Sequence, residues 1–118
     1  MSLDIEFVAE ARPATAVLRL GGRATFEQAP QLREALFESI EAADGKNLVV
    51  ELDAVTRIDT SAMAVLVEGL MATQASETTI FLLNPSRSVR EVFRLAGLEE
   101  ALTCCFDSWE DFTSAVAG

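Results

Sequence analysis

Three consecutive polar residues, Asp59, Thr60 and Ser61, combine a carboxylate with two hydroxyl groups. They follow an apolar segment and precede a segment with helical spacing, so the pattern places them where a strand turns into a helix. The carboxyl edge of a parallel strand is where open α/β sheets hold their binding sites. Asp, Thr and Ser are also the ordinary residues of helix N-caps, and residue type alone predicts a cap here.

The other side chains offer little for catalysis. The sequence contains no His and no Tyr, which removes the commonest general base and metal ligand. The two cysteines, Cys104 and Cys105, are adjacent in an apolar stretch and are predicted to be buried reduced thiols, with a redox role as the minor alternative. Two thiolates without a His cannot complete a zinc site. We therefore expect no enzyme activity, no metal and no cofactor.

The charge balance restricts the class of partner. Nine basic and nineteen acidic residues give a net charge of −10, which disfavours direct binding to nucleic acid or to anionic membranes. A basic protein is a compatible partner, although solubility explains the acidity equally well. No apolar run reaches the roughly 20 residues of a membrane helix, and the first residues lack the features of a signal peptide. The sequence therefore predicts a cytoplasmic protein without membrane insertion.

The 118 residues fit a single domain covering 1–118. Strand-like and helix-like segments alternate in the order β-β-α-β-α-β-α-β-α. The predicted strands cover residues 4–9, 15–20, 47–53, 78–83 and 102–106, and the predicted helices cover about 25–43, 59–75 and 87–95, with a last helix after 108. Helical crossovers favour parallel strands, whereas the short first turn favours an antiparallel pair. We expect an α/β fold with a mixed four- to five-stranded sheet and four main helices.

The first helix has two candidate starts. Thr25 and Gln28 have the spacing of a capping box. Pro30 lies just past the first turn of a helix capped by Thr25 and favours a regular helix that begins nearer Ala29.

Residues 48–66, which read LVVELDAVTRIDTSAMAVL, resemble the STAS family, named for sulfate transporters and anti-sigma factor antagonists. The family pattern is an apolar strand, a short connector, and Asp-Ser-Ser-Gly or Asp-Thr-Ser-Gly at the start of a helix. Residues 92–98, VFRLAGL, resemble its later helix with a Gly-Leu stop, and Leu20-Gly21-Gly22 followed by Ala29 and Leu32 resembles its second strand and first helix. The resemblance extends over nearly the whole chain in the right order.

The resemblance implies a STAS-like sheet and a regulatory role. In anti-sigma factor antagonists the hydroxyl residue after the Asp is phosphorylated by a kinase that is itself the anti-sigma factor, and the unphosphorylated form binds that kinase and releases a sigma factor. Carried to this chain, the phosphorylation site is Thr60, with Asp59 and Ser61 as its neighbours. The implied partner is a protein kinase of the anti-sigma factor type, and formation of a homodimer is left open.

The sequence departs from the family pattern at three places. Ala62 and Ala64 replace two glycines after the hydroxyl pair. The acidic motif that commonly follows the second strand reads Gly22-Arg23-Ala24-Thr25, and no carboxylate appears before Glu27.

The predicted second helix is apolar nearly all round, with Glu68 as its only charge between residues 62 and 72. A surface helix normally carries one apolar stripe and one charged face. Such a helix is either buried by its neighbours or exposes a contact surface. We favour a partner surface containing Ala62, Met63 and Val67, with burial against the neighbouring helix as the alternative. Arg87, Arg90 and Arg94 share one face of the next helix, for which a solvated face is the simpler interpretation.

A second function fits the same motif. Asp-Thr-Ser followed by Ala-Met-Ala-Val-Leu also resembles the STAS subunit of lipid-handling ABC transporters, which binds and regulates the ATPase subunit. The favoured hypothesis is the anti-sigma factor antagonist, a binding switch rather than an enzyme.

Overall fold

A computed structural model describes residues 3–97 and 104–117 of the chain. The strands are β1 (Leu3–Arg12), β2 (Thr15–Ala24), β3 (Asn47–Ile58), β4 (Thr79–Leu83) and β5 (Cys105–Phe106). The helices are α1 (Ala29–Ala43), α2 (Thr60–Ala72), α3 (Arg87–Leu95) and α4 (Trp109–Ala117). The strands form one sheet in the order β1-β2-β3-β4-β5. The β1–β2 pair is antiparallel and the other pairs are parallel, which confirms the predicted mixed α/β fold.

Helices cover the sheet on both faces. Leu48 and Val50 of β3 belong to a core shared with α1, α2 and α3, whereas Val49 points to the opposite face and packs in a cluster with Phe112 of α4. All three β3 side chains are fully buried. The apolar run of residues 47–53, predicted to be a strand, is thus part of a central strand covered on both faces, as is usual for such continuous apolar runs.

β3 is longer than the sequence indicated. The predicted strand ends at residue 53, but β3 continues to Ile58, which pairs with Ala24. The register between β2 and β3 shifts between Arg19 and Gly21 and again after Gly22. These irregularities interrupt the regular alternation of side chains between the two faces of the sheet, so the sequence from Ala54 onward lacks the pattern that predicts a strand.

The start of α1 is at Ala29, as Pro30 indicated, and Thr25 is not its N-cap. The Gln28 side-chain oxygen instead accepts hydrogen bonds from the Thr25 backbone N–H at 3.0 Å and from its hydroxyl at 2.7 Å. Thr25 and Gln28 are therefore hydrogen-bonded to each other as predicted, but they form a turn that precedes α1 rather than the cap of α1. α2 ends at Ala72 rather than near residue 75.

In the C-terminal part, helices α3 and α4 are confirmed, whereas β5 is only Cys105–Phe106 and does not include Cys104 of the predicted last strand. Ser86 caps α3 by accepting a hydrogen bond from the Val89 N–H, and Gly97 has the left-handed φ of 74° that suits a helix stop. The Ser108 hydroxyl accepts from the Asp111 N–H at the start of α4. Leu98 of the predicted stop and residues 102 and 103 of the predicted last strand lie outside the described residues.

Candidate functional site

The Asp-Thr-Ser triplet lies at the junction of β3 and α2. Asp59 has an extended backbone and follows directly after β3, and its carboxylate oxygen Oδ1 accepts a hydrogen bond from the Ala62 N–H at 3.0 Å. This contact satisfies one of the N–H groups that the first turn of a helix leaves without an intrahelical partner. The N-cap of α2 is therefore Asp59, and Thr60 is the first residue of the helix.

The second carboxylate oxygen of Asp59 binds a different part of the chain. Oδ2 accepts a hydrogen bond from the Phe26 N–H at 2.8 Å, in the loop between β2 and α1. The Asp59 N–H also donates to the carbonyl oxygen of Ala24 at 3.2 Å. Asp59 thus joins the β2–α1 loop to the start of α2.

Thr60 and Ser61 are both exposed, whereas Asp59 is half-buried. The predicted phosphorylation site is thus accessible at the surface, one residue after the cap. The helix N-terminus places partial positive charge at this point, which favours an anionic group there.

The expected partner contacts on α2 separate into two groups. Ala62 and Met63 are fully buried, so assigning their side chains to a partner surface was wrong. α1 packs closely on α2 at Gly69, where an added Cβ would lie 2.6 Å from Leu36 Cδ2. This close packing, together with the sheet beneath, buries the inner side of α2, whereas its outer side stays exposed. Val67 is half-buried and remains a predicted contact.

The outer side of α2 is polar at its start and mostly apolar beyond. Its exposed residues are Thr60, Ser61, Ala64, Glu68, Met71 and Ala72. Glu68 forms a two-point ion pair with Arg33 of α1, with N–O distances of 2.9 and 3.0 Å. Hydrogen bonding to the Arg33 guanidinium lowers the pKa of Glu68. A partner would therefore meet a paired carboxylate at this point.

Phe26 is a feature that the sequence analysis missed. Its side chain is 66% exposed, although its backbone is held by Asp59. A single Phe between Thr25 and Glu27 carries no periodic signal. Only the contact with Asp59, distant in sequence, places it beside the triplet.

The arginine face of α3 is engaged in ion pairs. Arg90 binds Asp107, and Arg94 binds Glu91. Arg87 and Arg94 are exposed, in agreement with the solvated face that the sequence favoured, whereas Arg90 is half-buried.

The adjacent cysteines are half-buried thiols rather than a disulfide. Burial raises the pKa of Cys104, and burial together with the neighbouring Cys104 raises the pKa of Cys105 to about 12. Thiolate chemistry at neutral pH is correspondingly suppressed.

Within residues 3–97 and 104–117, no group of three or more His, Cys, Asp or Glu side chains is arranged to hold a metal ion. None of the helices in the same part of the chain is both long and apolar enough to cross a membrane.

Comparisons with known proteins agree with this architecture. An anti-sigma factor antagonist from Mycobacterium paratuberculosis has a TM-score of 0.80 at 21% identity, over 99% of this chain and 96% of that chain. The phosphorylated form of the Bacillus cell fate determinant SpoIIAA has a TM-score of 0.67 at 21% identity, over 99% of this chain and 100% of that chain. A sulfate transporter family protein from Wolinella succinogenes has a TM-score of 0.72 at 19% identity, over 90% of this chain and 87% of that chain.

Identities at this level show a common fold, and a comparison with curated protein sequences gives no significant match. The family model of the STAS domain matches residues 6–111, which is most of the chain. The chain belongs to the STAS domain family.

Proposed function

We propose that this chain is an anti-sigma factor antagonist, a binding switch controlled by phosphorylation of Thr60. In the unphosphorylated state it binds a protein kinase of the anti-sigma factor type, and that kinase then releases a sigma factor. The observation that carries the proposal is the exposed Thr60, the first residue of α2, directly after the capping Asp59 of a STAS fold.

The local geometry suits a phosphate acceptor that is not itself catalytic. Both carboxylate oxygens of Asp59 already accept backbone hydrogen bonds, so the adjacent acid serves to hold the junction. The kinase supplies the base that takes the Thr60 hydroxyl proton while the γ-phosphoryl group passes from ATP to Oγ1 and ADP leaves. The chain itself acts by binding, without enzyme activity, nucleic acid or membrane insertion, in the cytoplasm where the kinase and sigma factor meet.

Phosphate at Thr60 opposes binding through charge. It replaces a neutral hydroxyl by a group that carries a charge of about −1.5 to −2 at pH 7. A contact that buries the hydroxyl against the kinase would then have to bury that charge, which is costly without a paired cation. The fold tolerates the phosphate because negative charge is favourable near a helix N-terminus.

Binding measurements with the kinase test this proposal. Isothermal titration calorimetry without ATP should show a complex with the wild-type chain and with Thr60→Ala. Thr60→Glu should bind at least about tenfold more weakly, since it places a carboxylate in the contact. Ser61→Ala is the matched control and should bind like the wild type. Equal affinities of Thr60→Ala and Thr60→Glu would contradict the switch.

A second candidate function is favoured by the Asp-Thr-Ser-Ala-Met-Ala segment, and the same fold also occurs in a sulfate transporter family protein. In this alternative the chain is the STAS subunit of a lipid-handling ABC transporter and binds its ATPase subunit. Co-purification from the native cell distinguishes the two, because recovery of a transporter ATPase in place of a kinase supports the alternative.

A further inference from the structure

An exposed aromatic side chain lies in the loop joined to the candidate switch. Among the large apolar side chains exposed within the described ranges, namely Phe26, Met71, Leu95 and Val116, Phe26 is the aromatic one. Aromatic residues are enriched in protein interfaces and supply a large share of their binding energy when they enter an apolar pocket. Exposure of Phe26 therefore points to a contact residue.

The backbone of Phe26 is fixed, although its ring is exposed. Its N–H donates to Asp59 Oδ2 at 2.8 Å. On one side, the Ala24 carbonyl accepts from the Asp59 N–H. On the other side, the side chain of Gln28 closes the turn that begins at Thr25. A contact residue held in place before binding loses less conformational freedom when the complex forms.

Asp59 couples this loop to Thr60. One carboxylate holds both the Phe26 N–H and the Ala62 N–H, and Thr60 is its immediate neighbour in sequence. A phosphate on Thr60 would repel that carboxylate and compete with it for the N–H groups of the first turn of α2. Movement of the carboxylate removes the acceptor of the Phe26 N–H.

We propose that Phe26 is the residue that anchors the unphosphorylated protein to its kinase, that Asp59 is the positioning residue that holds Phe26, and that phosphate on Thr60 releases it. The occupant of this surface is an apolar pocket of the kinase bordered by Lys or Arg, because Glu27 adjoins Phe26 and the chain carries a net charge of −10. The identity of the partner rests on the proposed function, whereas the coupling between residues 60 and 26 is a property of this chain alone.

The coupling is tested without any partner, by residue-resolved amide hydrogen exchange measured by NMR. Phosphothreonine encoded at position 60 should make the Phe26 amide exchange at least about tenfold faster and leave the amides of β3 unchanged. Phosphoserine at Ser88, an exposed residue in the first turn of α3, is the control for added charge at a helix start and should have no effect on Phe26. An unchanged Phe26 amide in the phosphothreonine protein would overturn the coupling.

The positioning role of Asp59 is tested with Asp59→Ser. Serine caps a helix about as well as Asp, but its single short oxygen cannot hold the Ala62 and Phe26 N–H groups together. The Ala62 amide should stay protected while the Phe26 amide loses its protection. Retained protection of Phe26 would show that Asp59 does not position it.

The anchor is tested by kinase binding. Phe26→Ala should weaken the complex at least about tenfold and leave the melting temperature nearly unchanged, because the ring is exposed. Val116→Ala removes an exposed side chain on α4, on the opposite face of the sheet, and should bind normally. Equal binding of Phe26→Ala and wild type would overturn the anchor. If the wild type binds no such kinase, the proposed function fails, and the exchange results still decide the coupling.

Discussion

The assignment of the α2 cap to Asp59 rather than to Thr60 predicts a specific order of stabilities. Asp59→Ala removes the cap of α2, a loss typically of about 1 kcal/mol. It also removes the hydrogen bond to the Phe26 N–H, which lies in an exposed loop, so the net loss is about another 1 kcal/mol. The expected total loss in the free energy of unfolding is therefore about 2 kcal/mol.

Two further variants separate these contributions. Asp59→Ser keeps the cap and loses only the loop contact, so its expected loss is about 1 kcal/mol. Thr60→Ala removes an exposed hydroxyl that does not cap the helix, so its free energy of unfolding should stay within about 0.5 kcal/mol of the wild type.

Urea denaturation followed by circular dichroism measures all three variants against the wild type, with the slope of the transition checked for constancy. If Thr60→Ala were as destabilising as Asp59→Ala, the cap assignment would be wrong. If Asp59→Ser matched Asp59→Ala, the serine would not be replacing the cap, and the separation of the two hydrogen bonds would fail.

Three other predictions concern α2 and the cysteines. Met63→Glu should unfold the protein or lower its melting temperature strongly, because Met63 is fully buried and a buried lone charge is costly. Val67→Glu should instead remain folded and weaken kinase binding. Normal binding of the Val67→Glu protein would show that Val67 is not part of the contact. Gly69→Val should cost at least about 1 kcal/mol in urea denaturation, since the added atoms meet a buried leucine of α1, whereas a neutral result would show that α1 and α2 separate easily. With the pKa of Cys105 raised to about 12, alkylation of Cys105 by iodoacetamide should be slow at pH 7.5 and accelerate as the pH rises toward that value. Peptide mass spectrometry measures the modification, with Cys104, whose pKa is also raised, as the internal comparison. Rapid modification of Cys105 at neutral pH would contradict the raised pKa.

The fold was largely predictable because periodicity and topology rules act together. The short turn after β1 and the helical segments between later strands determined which strands could be antiparallel. Local sequence patterns did not predict the end of a strand where pairing with a neighbouring strand determines it. β3 continues to Ile58 only because β2 offers partners up to Ala24, and no pattern within residues 54–58 contains that information.

The candidate site was predictable in position but not in its connections. The triplet at a strand-to-helix junction was evident, and its first residue is the cap. The sequence could not show that the same carboxylate holds Phe26, since that contact joins residues 33 positions apart. Ala62 and Met63 are buried in a core that α2 shares with α1, α3 and the sheet, and such packing between elements is not a property of either helix alone.

Mapping of phosphate after incubation with the kinase and ATP tests the central claim most directly. Tandem mass spectrometry of the wild-type chain should find one phosphate, on Thr60. Thr60→Ser should still be modified at that position, Thr60→Val should remain unmodified, and Ser61→Ala should be modified like the wild type. Phosphate on Ser61, or an unmodified wild-type chain in the presence of a kinase shown to be active, would contradict the assignment of Thr60 as the switch.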